Sequence, residues 1–182
     1  MIGEKYGDFR KVKEIIDFTY PGITLLLRDT NLCALDSKYE VGMILREFGF
    51  VDASLHRGGM VTTHRMAILS NHYADLQAYE HGTNWGLCVL DHMSHYKVLD
   101  RYSIGDKTQI ILLHLPENGW EVFDEVQTNV DEEVVKIVRN AFEKTLSLPP
   151  VPELTSDIWL KRCAFPVGMT ESGDYFPIED QK

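Results

Sequence analysis

The chain has 182 residues, 44% of them hydrophobic, and a formal net charge of −10, a size and balance that suit one domain with its own core. That composition excludes a wholly disordered chain, a collagen-like chain and a small disulfide scaffold. Eighteen Lys and Arg against 28 Asp and Glu also argue against nucleic-acid and polybasic membrane binding, which need dense positive charge.

Residues 8–19 read as a helix, with Phe9, Val12, Ile15, Ile16 and Thr19 on one side and Pro21-Gly22 as the stop. Ile23 to Leu27 reads as a buried strand. Ser37 and Glu40 have the spacing of a capping box, and Val41, Ile44, Leu45 and Phe48 follow at helical intervals, so a helix is predicted over 38–48, closed by Gly49. From residue 60 the period shortens. Strands are expected at 61–70, 85–90, 95–102, 108–115 and 120–123, separated by Asp91 to Ser94, Ser103 to Asp106 and Pro116 to Gly119. Connections this short suit antiparallel neighbours, so the last four strands are expected to form a meander. A helix over 129–146 follows, capped by Asn129 and carrying Asp131, Glu132 and Glu133 at its positive end. Val134, Val135, Val138, Ala141 and Phe142 form its apolar stripe, and Pro149 to Pro152 closes it. These elements define an α+β fold, with an antiparallel sheet and helices on one face, as a single domain over 1–152. Residues 153–182 read as a tail rich in large apolar groups, docked on the domain or on a partner, which leaves a homodimer open.

All seven histidines fall between His56 and His114. No carboxylate occurs between Asp52 and Asp75, a stretch that holds His56, Arg57, His64, Arg65 and His72 around Gly58-Gly59. Paired arginine donors and close backbone amides suit a carboxylate or phosphate, so this positive island is a candidate anion pocket; its alternative is a hairpin turn with exposed arginines. The loop from Asn71 to Asn84 adds His72, Tyr73, Asp75 and His81, groups able to bind or transfer protons, although Tyr73, Leu76 and Tyr79 also suit a short helical turn packed on the sheet edge. Asp91, His92 and His95 lie in one tight turn and are candidate ligands for a divalent metal.

Cys33, Cys88 and Cys163 form no CxxC pair, and Cys88 reads as a small buried hydrophobe. No HExxH, GxGxxG, Walker or GxSxG pattern occurs. The chain start lacks a signal-peptide apolar region and no apolar run reaches membrane-spanning length, so a cytoplasmic location is expected. The acids concentrate in residues 115–182, with 14 against 6 bases, which predicts a solvated face or one that meets a basic partner. Without a catalytic signature, the leading expectation is a binding or protein-interaction module without catalytic activity. The alternative is a small enzyme or ligand-binding protein with a His/Arg anion or metal site in the 53–95 region.

Overall fold

The computed structural model describes residues 22–115, 117, 120 and 129–179. The expected helix over 8–19 lies outside them, as does most of the expected strand over 120–123. Eight strands form one sheet: β1 Thr24–Thr30, β2 Ile44–Glu47, β3 Val51–Ser54, β4 His64–Ser70, β5 Ala74–Asp75, β6 Leu87–Leu90, β7 Ser94–Ile104 and β8 Lys107–His114. Their order across the sheet is β2-β7-β8-β4-β1-β3-β6-β5. Helix α1 spans Asn129–Thr145 and helix α2 spans Asp157–Arg162, with short 3-10 turns at Cys33–Lys38, Gln77–Tyr79 and Pro152–Thr155.

The fold is α+β around a sheet, but the expected antiparallel meander is corrected. β4 and β8 run parallel, and β6 pairs with β3 and β5 instead of joining β7. Among the described residues, β7 and β8 keep the expected antiparallel hairpin. The predicted helix over 38–48 is likewise corrected: the chain forms a 3-10 turn, then β2, which pairs with β7. Gly42 sits at φ +93°, where a helix cannot continue, and Ser37 Oγ donates to Ala34 O instead of capping. Ile44 and Leu45 are both buried, on opposite faces of the sheet. A short strand buried on both faces shows no alternation, and its apolar run matched the helical period by accident.

Two cores result. One draws Leu26, Leu45, Ala53, Ile68, Leu90, Val98 and Ile110 from seven strands, which requires a sheet curled about a concave face. The other joins Leu27, Ala67, Leu69, Ile111 and Leu113 to Val138 of α1 on the convex face. A register shift between Val98 and Asp100 sets Asp100 opposite Ile111, on the helix side. There Arg139 of α1 holds its two oxygens at 2.7 Å each.

Among the described residues, α1 lies on the convex face. The concave side is closed by the segment after α2, which places Val167 and Met169 in that core. Side chains of the first half of the chain grip this segment by its backbone: Arg28 donates to Phe165 O at 2.8 Å, Tyr39 Oη to Val167 O at 2.8 Å, and Lys38 Nζ to Gly173 O at 2.7 Å. Gly168 donates its N–H to Glu47 at 2.7 Å. Just before it, Trp159 and Cys163 pack with Leu87 in a third cluster.

On the convex face, Asp29 of β1 and Arg65 of β4 are directly opposite in the ladder. Arg65 Nε and Nη2 donate to the two Asp29 oxygens at 2.6 and 2.9 Å. Its other donors reach Gly58 O, Gly59 O and Thr145 Oγ1, so one guanidinium ties the sheet to the 58–59 turn and to the end of α1. Gly58 and Gly59 have no room for side chains, since a Cβ on Gly59 would lie 1.9 Å from Leu148 O. Removing one member of such a buried pair leaves an uncompensated charge. Asp29→Asn is expected to cost about 3–5 kcal/mol of unfolding free energy in a chemical-denaturation titration. A cost below about 1 kcal/mol would show that the pair does not organise this face.

Candidate functional site

A surface hollow of about 380 Å³ opens where β3, β5 and β6 meet, lined by Phe50, His72, Tyr73, Ala74, Val89 and Asp91. The tight turn before β3 leaves Phe50 67% exposed. Its ring lies 5.1 Å from that of His92. Tyr73 is fixed more firmly, because its ring packs against the concave core and its Oη donates to Thr24 Oγ1 at 3.2 Å. Asp91 follows β6 and accepts from both the side chain and the backbone N–H of His92, at 2.7 and 2.8 Å. Those bonds pull its carboxyl below the usual range, so the wall of the hollow keeps a negative charge.

Beside the hollow runs a polar chain centred on the buried His114. The N–H of His72 donates to Ser70 Oγ at 3.0 Å, and Ser70 Oγ lies 2.8 Å from His114 Nδ1. His114 Nε2 is 3.1 Å from Ser94 Oγ, which donates to Asp91 O at 2.7 Å. The Ser94 proton points to Asp91 O, which leaves Nε2 of His114 as the donor, and the one Ser70 proton is shared between His114 Nδ1 and His72 O, 3.0 Å away. Burial, then the neighbouring His72, push the His114 pKa down to about 4. One imidazole, stacked on Tyr96, thus holds the backbone on two sides of the hollow.

The structure does not gather the expected anion pocket. Arg65 has all its donors engaged, and His64, one residue earlier in the strand, faces the opposite side. There its Nδ1 accepts from Leu32 N at 3.3 Å. His56 Nε2 is 2.9 Å from Asn84 O, and Arg57 is exposed. The space between His56, Gly58, Gly59 and Arg65 measures about 10 Å³, room for about one water. His72 lies just beyond the far end of β4. In the 71–84 loop, His72 and Tyr73 reach the hollow, whereas Asp75 pairs into β5 and accepts from Gln77, and His81 is exposed. Glu80 organises the rest of that loop by accepting from Thr83 Oγ1 at 2.7 Å, Leu87 N at 2.8 Å and Trp85 N.

The metal candidates separate too. His92 pairs with Asp91 at the surface, but His95 is buried and stacked 4.6 Å from Trp120. Among the described residues no group of three His, Cys, Asp or Glu is placed to hold a metal. No helix among them is long and apolar enough to cross a membrane. Phe50 was not singled out in the sequence, since a lone aromatic in a turn carries no pattern. Ser70 and His114 were visible only as composition, because their meeting depends on strand register.

No family model matches the chain, and no curated protein matches it. Among solved structures, exoenzyme S from Pseudomonas aeruginosa, in complex with human 14-3-3 protein beta and bound to carba-NAD, is 13% identical with a TM-score of 0.45. That match covers 66% of this chain and 66% of that one. The Clostridium limosum C3 exoenzyme is 13% identical with a TM-score of 0.45, over 58% of this chain and 65% of its own. C3larvin toxin, an ADP-ribosyltransferase from Paenibacillus larvae, is 14% identical with a TM-score of 0.42, over 52% of this chain and 62% of its own. The chain thus spans less than two thirds of these neighbours' own length, and at this identity and score the likeness assigns no activity to it. Against these neighbours, two exoenzymes and an ADP-ribosyltransferase, the expectation of a binding or interaction module without catalytic activity is corrected.

The polar chain beside the hollow has a pH signature. The folded-state pKa of His114 lies below the unfolded value, so the unfolded chain binds the extra proton more readily. Its contribution to stability is complete above the ordinary imidazole pKa and declines as pH falls toward about 4. Between pH 7 and pH 5 the parent is expected to lose about 2 kcal/mol through this group. Denaturation curves at the two pH values, for the parent and His114→Asn, check this; an equal loss in the variant refutes the assignment.

Proposed function

We infer that the protein is a small enzyme or ligand-binding protein whose site is the hollow between Phe50, His72, Tyr73 and Asp91. One observation carries this reading: two aromatic walls, an imidazole and an ionised carboxylate converge on a single concave space of about 380 Å³. Pockets for small molecules combine apolar walls with a few fixed polar groups, and here the backbone at both polar walls is tied to one buried imidazole. His72 and Asp91 have the chemistry to exchange a proton with a bound molecule, while Phe50 and Tyr73 bury its apolar part. Three free cysteines suit a reducing compartment, in line with a cytoplasmic site of action.

A thermal-shift and amide NMR panel of phosphorylated and carboxylated metabolites, organic cations and divalent metals tests the reading. A ligand at a hundred times its dissociation constant stabilises by about 2.7 kcal/mol, and its NMR shifts are expected to cluster on residues 50, 72–74 and 89–91. Tyr73→Ala is expected to weaken that ligand at least roughly tenfold, because it removes a wall of the hollow. Shifts that map instead to Arg57 and the 58–59 turn, unaffected by Tyr73→Ala, overturn the assignment.

A further inference from the structure

The sign and shape of the hollow point to its ligand class. It is lined by Phe50, Tyr73 and His72, and the His92 ring centroid lies 5.1 Å from that of Phe50. Among the described residues neither lysine nor arginine lines it, and the carboxylate there is that of Asp91. His92 occupies Oδ1 of that carboxylate through both of its bonds. An anion would meet a like charge and no lysine or arginine among the described lining residues. A cation would meet the negative faces of aromatic rings and a carboxylate, the combination that recognises quaternary ammonium groups. The chain's formal net charge of −10 draws cations toward such a surface in the same sense.

We propose that the hollow binds an organic cation, an alkylated ammonium group seated between Phe50 and Tyr73 and facing Asp91. This rests on the reading of the hollow as the ligand site and adds the charge of the ligand. It also reverses the sequence-based expectation of an anion.

The discriminating probes are choline and its uncharged isostere 3,3-dimethylbutanol, which share a shape and differ in charge. Each is titrated at pH 8 into the labelled full-length chain and followed by amide NMR. Choline is expected to shift residues 50, 72–74 and 91, with an affinity roughly tenfold above that of the isostere. Asp91→Asn is expected to remove most of that difference while leaving isostere binding unchanged. The carboxylate is exposed in a turn, so this variant is expected to melt with the parent. Phe50→Ala tests the ring contribution and is expected to weaken choline several-fold. Equal affinity for the two probes overturns the proposal. If a neutral or anionic member of the metabolite panel occupies the hollow and choline does not, the cation inference falls and the ligand site stands. If neither choline nor any panel member perturbs the hollow, both fall.

Discussion

The architecture turns on one ion pair between facing positions of adjacent strands. Asp29 and Arg65 are directly opposite in the β1–β4 ladder, and both are nearly inaccessible. A buried charge pair is tolerable only when its remaining hydrogen-bonding capacity is satisfied. Here Val61 N adds a third bond to the carboxylate, and the guanidinium reaches two glycine carbonyls and a threonine hydroxyl. Those partners lie on the 58–59 turn and at the end of α1. The pair therefore ties the end of the helix and the turn beneath it to the sheet.

The same pair explains what the sequence could and could not convey. β4, β7, β8 and α1 were legible, because long elements with continuous apolar content or a clear stripe leave a strong local signal. β2 was not, since a strand with neighbouring apolar residues buried on both faces has no period that distinguishes it from a helix, and β3 was not, since four residues are too few for the alternation of Val51 and Ala53 to stand out. The missing carboxylates between Asp52 and Asp75 made Arg65 look like a free anion receptor. Its counter-charge comes from 36 residues upstream, through a strand pairing that no local window contains.

The hollow shows the same division. His72, Tyr73 and Asp91 were each visible as chemically capable residues, but they had been assigned to different sites. Only the pairing of β6 with β3 and β5 brings them onto one concavity beside Phe50. The Ser70–His114–Ser94 chain is less legible still, because it joins the end of β4, the end of β8 and the start of β7. Polar groups enclosed this way are costly unless every link is made, so the neutral imidazole specifies a register as well as a contact.

The grip on the segment after α2 has a consequence for how the molecule is made. Residues 28–47 hold that segment through bonds to chain positions more than 120 residues later, as between Arg28 and Phe165 or Glu47 and Gly168. Contacts this distant along the chain form late, after the loop-closure entropy has been overcome. On the ribosome, the curled sheet is complete in sequence well before its cover emerges. A nascent chain stalled before residue 163 presents the concave core, Tyr39 and Tyr96 included, to solvent and to other unfinished chains.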